Sequence, residues 1–201
     1  MSITTYAELK SAIGDFLDRD DLASKTGTFI SLAEAEISRD LRHWRQEKRV
    51  NTSVDEQYEN LPTDWLRINS VQHTGGGLIS SVSASELQRL RSATTTTGKP
   101  RYMRINSNQI ELYPVPDQAY SIEVTYLAQT PALTNADPSN WLLEYAPDLL
   151  LYGSLKHSAP YLGEDSRLAV WGSLYASGIE ALNSETESAV VSGPLSMRIP
   201  R

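Results

Sequence analysis

The segment that most constrains this chain runs from Thr130 to Leu162, TPALTNADPSNWLLEYAPDLLLYGSLKHSAPYL. A polar loop rich in Asn, Asp and Pro gives way to Trp141-Leu142-Leu143. Ala146-Pro147-Asp148 then opens the run Leu149-Leu150-Leu151-Tyr152-Gly153-Ser154-Leu155. Pro147 suits a first helical turn, where its missing N–H would have no partner in any case. The helix it opens is apolar on nearly every side, so neighbours must enclose it, from its own domain or from other copies. A bilayer does not: Glu144, Asp148, Lys156 and His157 interrupt a run already too short to cross one. The expectation is a central helix inside a packed group.

The N-terminal part is also helical. Thr5 and Glu8 form a capping box, each side chain able to satisfy an open N–H of the other at a helix start. Behind it Tyr6, Leu9, Ile13, Phe16 and Leu17 recur at helical spacing, ending at the acidic Asp18-Arg19-Asp20-Asp21. After Thr26-Gly27-Thr28 a second helix carries the stripe Phe29, Ile30, Ala33, Ile37, Leu41 and Trp44, with Glu34, Glu36, Arg39 and Arg42 facing outward. The short polar link predicts an antiparallel hairpin of helices.

The middle of the chain reads as β. Candidate strands cover 49–54, 65–72, 78–82, 101–105, 109–113 and 120–127. In the last, Tyr120, Ile122, Val124 and Tyr126 alternate with Ser121, Glu123 and Thr125, the pattern of a half-buried strand. Asn106-Ser107-Asn108 and Gly75-Gly76-Gly77 are tight turns between strands. The proline-bearing segments 61–64 and 113–117 end ladders they cannot continue. Ser83 and Glu86 repeat the capping box before a short helix, and 94–98 reads as a mobile loop. Helix then returns: Ala159-Pro160 breaks the chain, and Leu168, Trp171, Leu174, Tyr175, Ile179 and Leu182 mark a long final helix that loses its periodicity after Ser184.

Helices, strands, then helices imply an α+β fold. A helical bundle forms from the N- and C-terminal helices (1–46 with 129–191). An antiparallel β module is inserted (47–128), and an extended C-terminal tail follows (192–201). The 201 residues suffice for one substantial domain with an insertion, and 40% apolar with 21% charged is ordinary for a globular protein. No cysteine is present, so disulfides and thiolate metal sites are out. The start, Met1-Ser2-Ile3-Thr4-Thr5, lacks a basic stretch followed by an apolar core, so no secretory leader is expected. A formal charge of −7 argues against broad binding to a nucleic acid backbone.

No enzyme signature emerges. His43, His73 and His157 lie apart, none with a partner at metal-ligand spacing, and the triple glycine lacks the pattern of a phosphate loop. Neither a cofactor nor a metal is expected. Trp44, Trp65, Trp141 and Trp171 each sit in an element expected to face a core, so all four read as packing residues. Trp141 is the one expected to reach a subunit boundary. Arg39, Arg42, Arg45, Lys48 and Arg49 gather positive charge around the second helix's end. This is favourable charge at a helix C-terminus with a solvated face, or a patch that meets acids such as Asp18, Asp20 and Asp21 on another copy, or a contact with DNA, which the overall acidity disfavours. Leu195, Met197 and Ile199 alternate in the tail beside unopposed Arg198 and Arg201. It is either ordinary terminal disorder or a segment that adds itself to a partner's surface, with apolar anchors at every second residue.

The stretches TTYAELKSAIGDFLDRDDL, FISLAEAEISRDLR, ENLPTDWLRINSV, TGKPRYMRINSNQIELYPVPDQAYSIEVTYLAQTPAL, NWLLEYAPDLLLYGSLKHSAPYL and GPLSMR resemble, in order, the landmarks of the tailed-bacteriophage head-to-tail connector (adaptor) family. The resemblance implies a structural subunit of the virion neck, assembled in host cytoplasm. It implies a ring of about twelve copies below the portal, a head-to-tail arrangement closed into a cycle. The ring would extend the DNA channel, with DNA passing through without specific binding, and receive a tail or nozzle protein; the acidic lumen expected of it comes from the net charge alone. Portal docking would fall to Pro194, Leu195, Met197, Arg198, Ile199 and Arg201. Subunit contacts would fall to Arg39, Arg42, Arg45, Asp20, Asp21 and Trp141. The alternative is a stand-alone carbohydrate- or peptide-binding β module with helical flanks, its platform made of Tyr58, Tyr102, Tyr113, Tyr120 and Tyr126.

Overall fold

Both ends of the chain feed one apolar core. The computed structural model describes residues 3–93, 96–163 and 165–190. The chain divides into two units: residues up to Trp44 with those from Thr130 onward, and Arg45–Gln129. In the first unit, helix α1 (Tyr6–Leu17) starts at the expected capping box. The Glu8 N–H donates to Thr5 Oγ1 at 3.3 Å, and the Glu8 carboxylate accepts from the N–H groups of Thr4 and Thr5 at 2.8 and 3.0 Å. A 3-10 turn over Asp20–Lys25 leads into α2 (Thr26–Asp40). From the other end of the chain come α4 (Trp141–Tyr145), α5 (Pro147–Lys156), α6 (Ala159–Leu162) and α7 (Arg167–Val190).

Helix α5 is enclosed by its own unit. Leu149, Leu150 and Leu155 pack in one cluster with Leu9 and Ile13 of α1, Phe29, Ile30 and Ile37 of α2, and Trp171 and Tyr175 of α7. Gly153 sits at a close approach of α5 to both α2 and α7. A methyl group there would lie 3.2 Å from both the Ala33 side chain and the Tyr175 ring, so hydrogen is what fits.

The second unit contains two sheets and the short helix α3 (Ala84–Ala93). One sheet has the order β1 (Glu47–Val54), β7 (Tyr120–Ala128), β3 (Trp65–His73). The other has the order β2 (Tyr58–Asn60), β6 (Gln109–Tyr113), β5 (Tyr102–Asn106), β4 (Ser80–Ser81). Val54, Val71, Ile122, Val124 and Tyr126 from the first share a core with Met103, Ile110 and Leu112 from the second. The β5–β6 hairpin closes at Asn106↔Gln109 around Ser107, whose φ is 56°.

Several expectations need correction. The α2 stripe does not reach Trp44: the helix stops at Asp40, and Leu41 takes an extended backbone. The Arg42 N–H donates to Asn183 Oδ1 at 2.8 Å and the Trp44 N–H to Thr186 Oγ1 at 3.2 Å, so α7 supplies the partners that a further turn would have supplied. Trp44 is left 44% exposed, and Phe16 and Leu174, expected in core stripes, are exposed as well. Glu34 and Glu36 do not simply face solvent. Glu34 accepts from the Leu133 N–H at 2.7 Å, and Glu36 pairs with Lys156 at 2.5 Å and His157 Nε2 at 2.9 Å.

Strand 78–82 shrinks to Ser80–Ser81, which runs parallel to β5, so the module is antiparallel except for that ladder. Strand β2 was not expected; three residues are too few to show a period. Ser83 caps α3, accepting from the Glu86 N–H, but Glu86 turns to Arg89 instead of completing the box. Pro160 opens the one-turn α6 instead of merely breaking the chain. Helix α7 continues past Ser184 because polar contacts take over: Tyr145 donates to Glu185 at 2.7 Å, and Thr186 receives Trp44. In the 94–98 loop, Thr94 and Thr95 lie outside the described residues, while Thr97 bridges Val115. The whole tail, 192–201, also lies outside them.

Candidate partner-binding surfaces

Helix α2 separates charges of opposite sign. Arg39 lies exposed in its last turn, where a cation offsets the partial negative charge of the open carbonyls. Arg42 goes further and caps the end: Nη1 donates to the carbonyls of Ser38 and Leu41 at 3.2 and 2.6 Å. Before the other end come Asp20 and Asp21, both exposed. Fifteen helical residues span about 22 Å, so the two groups cannot pair within this unit. Arg19 grips Asp21 through two contacts of 2.6 and 2.7 Å, and this hydrogen bonding holds the carboxyl below its ordinary pKa. Asp20 lines an open hollow with Lys10, Asp15 and Asp18.

Of the other cations in the sequence cluster, Arg45 is exposed in the 3-10 turn Trp44–Gln46. Lys48 pairs with Asp64 at 2.6 Å and Arg49 with Glu123 at 3.5 Å inside the β unit. A run of basic residues in sequence is therefore three kinds of residue in space: a helix cap, exposed cations and sheet ion pairs.

Trp141 is half-buried and stacks on the fully buried His43, with centroids 5.5 Å apart and planes 14° from parallel. Trp44 and Tyr145 approach the same imidazole at 5.4 and 5.8 Å, and Glu185 lies 3.7 Å from its Nε2. The rings of Trp44 and Tyr145 reach the surface, so this is a core cluster with an aromatic outer rim. In the β unit, a groove beside β1 is lined by Val50, Thr52, Leu61, Pro62, Ile110 and Val124.

A family model described as SU10 adaptor protein matches residues 4–198. The chain belongs to the SU10 adaptor protein family. This is a family of phage head-tail adaptors, structural proteins and not enzymes. No curated protein matches the chain. The matched span of the adaptor takes in both units, so family membership covers the inserted sheets as well as the helices.

Several features of the adaptor were beyond sequence reasoning. His43 stood as an isolated histidine; its partners are about 100 and 140 residues further along the chain, at Trp141 and Glu185. The five tyrosines do not converge on a platform. Tyr58, Tyr102 and Tyr113 belong to one sheet, Tyr120 and Tyr126 to the other, and Tyr113 and Tyr126 are buried. Their hydroxyls serve the fold: Tyr113 donates to the Leu90 carbonyl at 3.0 Å and Tyr126 to Asp64 at 3.0 Å. Among the described residues, no group of three or more His, Asp or Glu is placed to hold a metal, and no helix is long and apolar enough to cross a membrane. The tail residues Pro194, Leu195, Met197, Arg198, Ile199 and Arg201 fall outside the described residues.

Proposed function

We propose that this SU10 adaptor assembles below the portal of a tailed phage as a ring of about twelve copies. There it extends the DNA channel and receives a tail or nozzle protein. Family membership over residues 4–198 is the observation that carries this reading. The placement of charge along α2 supports it. A cationic end and an acidic end about 22 Å apart suit head-to-tail contact between successive copies, with Arg39, Arg42 and Arg45 of one subunit meeting Asp20 and Asp21 of the next. Asp20 is the freer acceptor of the two, since Arg19 already holds Asp21. Trp141 and the aromatic rim beside it lie at the subunit boundary. The net charge of −7, repeated around a ring, makes a lumen that repels DNA and lets it slide. The tail, through Pro194, Leu195, Met197, Arg198, Ile199 and Arg201, docks on the portal during assembly in the host cytoplasm, and the virion neck is the final location.

Mixing the chain with its cognate portal and imaging the product tests this directly. A second ring stacked on the portal is the expected result. A chain that stays monomeric beside bare portals overturns the reading. Removing residues 193–201 should leave a folded protein that no longer co-sediments with portals. Ring contacts through α2 should weaken as salt rises from about 0.1 M to about 1 M, where the screening length falls from ~10 to ~3 Å.

A further inference from the structure

Strand β1 is an outer strand of its sheet. It pairs along β7 from Glu47↔Leu127 to Val54↔Tyr120, and among the described residues no strand lies along its other side. Of its eight residues only Val54 is buried. A free edge of this length presents a row of outward N–H and C=O groups, a template for another strand. Charged side chains usually blunt such edges. Here Glu47, Lys48 and Arg49 all sit at the start, and Val50-Asn51-Thr52-Ser53 follow without a charge. Beside that uncharged stretch lies the groove, with Leu61, Ile110 and Val124 in its lining and Val50 37% exposed at its edge. Glu59 and Asn60 of β2, the outer strand of the other sheet, form part of its lining. An open edge beside an apolar groove is what strand addition needs: backbone pairing for affinity and pockets for alternate side chains.

We propose that this edge is an acceptor site, and that its occupant is the C-terminal segment of a second copy of the chain. Pro194 and Pro200 bracket Leu195-Ser196-Met197-Arg198-Ile199. Proline cannot donate to a ladder, so the pairing stretch is these five residues. At ~3.4 Å each they cover about 17 Å and fit within the length of β1. Leu195, Met197 and Ile199 fall on one side of such a strand and supply three apolar groups to the groove. Arg198 and Arg201 bring positive charge to a surface where Asp55 and Glu56 follow the end of β1 and Glu59 sits in β2. Donor and acceptor are different surfaces of one chain, so the contact is head-to-tail, the type that closes rings. The inference rests on reading the chain as ring-forming, and it makes the portal and β1 competitors for one segment.

Two full-length variants test it without any portal. Leu195→Ser with Met197→Ser and Ile199→Ser removes the donor; Val50→Glu removes the acceptor. Sedimentation should show wild type growing in mass with concentration, each variant alone monomeric, and their mixture stopping at a one-to-one dimer. The β1 amides that face away from β7 should be exposed in each variant alone and gain exchange protection in the mixture, as in self-associated wild type. Thr52→Arg, at the same groove, replaces Val50→Glu if that variant fails to fold. Variants that self-associate as well as wild type overturn the proposal, as does a wild type that stays monomeric with β1 unprotected. Protection of β1 in a monomer, independent of concentration, assigns the site to the chain's own tail and overturns the second copy as occupant. Portal binding is read separately: Val50→Glu keeps its tail and should still attach, so loss of portal attachment would count against the portal reading alone.

Discussion

The helical unit and the β unit bury apolar side chains by different routes. In the first, Leu9, Ile13, Phe29 and Ile37 meet Leu150, Leu155 and Trp171, so the core exists only when segments over a hundred residues apart come together. In the second, every core residue from Val54 to Ala128 comes from one unbroken stretch. The first therefore joins its two terminal halves only by closing a loop of more than a hundred residues, whereas the second closes its ladders within one stretch, from the tight β5–β6 hairpin out to Glu47↔Leu127.

The largest test is to cut the chain at the unit boundaries. Residues 45–129 expressed alone should give a cooperative thermal transition and dispersed amide signals, while residues 1–44 alone should show neither. An unfolded 45–129 fragment would break the comparison. Next, Trp171→Ala should cost about 3–5 kcal/mol in denaturant unfolding, because Trp171 is only 5% exposed in the core of the helical unit. Amide exchange should place the loss there, with the β unit's protection retained. Trp141→Ala should cost less, since that ring is half-buried. Gly153→Val should cost roughly 1–3 kcal/mol by overpacking, as a single methyl at that site already lies 3.2 Å from two neighbours.

The smallest effect concerns Glu36. Burial alone would raise its pKa, but the hydrogen bond and charge of Lys156, with His157 beside it, outweigh that and hold it below the ordinary value. Its contribution to stability is then fully present above the unfolded carboxylate pKa. It is lost as pH falls through the lower folded pKa, because the unfolded chain takes up the proton first. Glu34, raised by burial against the hydrogen bond from Leu133, acts in the opposite sense. The informative quantity is thus the difference between wild type and Glu36→Gln, which should shrink below pH ~4.5. A difference that stays constant from neutral to acid pH would remove the ion pair from the account.

Legibility in the sequence followed the range of the interactions. The Thr5–Glu8 cap and the β5–β6 turn each span four residues, and both formed as read. The end of α2 was not legible, because the side chains that stop it, Asn183 and Thr186, lie over 140 residues away. Glu34 and Glu36 had the spacing of a solvated face, and only Leu133, Lys156 and His157 made them structural. The basic cluster had a clear sequence signal, yet backbone geometry divided it into a cap at Arg42 and ion pairs at Lys48 and Arg49.

What the chain's order of residues determined by itself was the architecture: periods of 3.6 and 2, caps and proline stops declare helices, then strands, then helices, and α5 has to be surrounded. What only the tertiary structure decided was the use of the polar and aromatic side chains: His43 inside a ring of aromatics, Glu36 on Lys156, and an open β1 edge beside an apolar groove. Periodicity is a property of neighbours along the chain and survives in the sequence. Pairing between distant side chains depends on distances that exist only after folding.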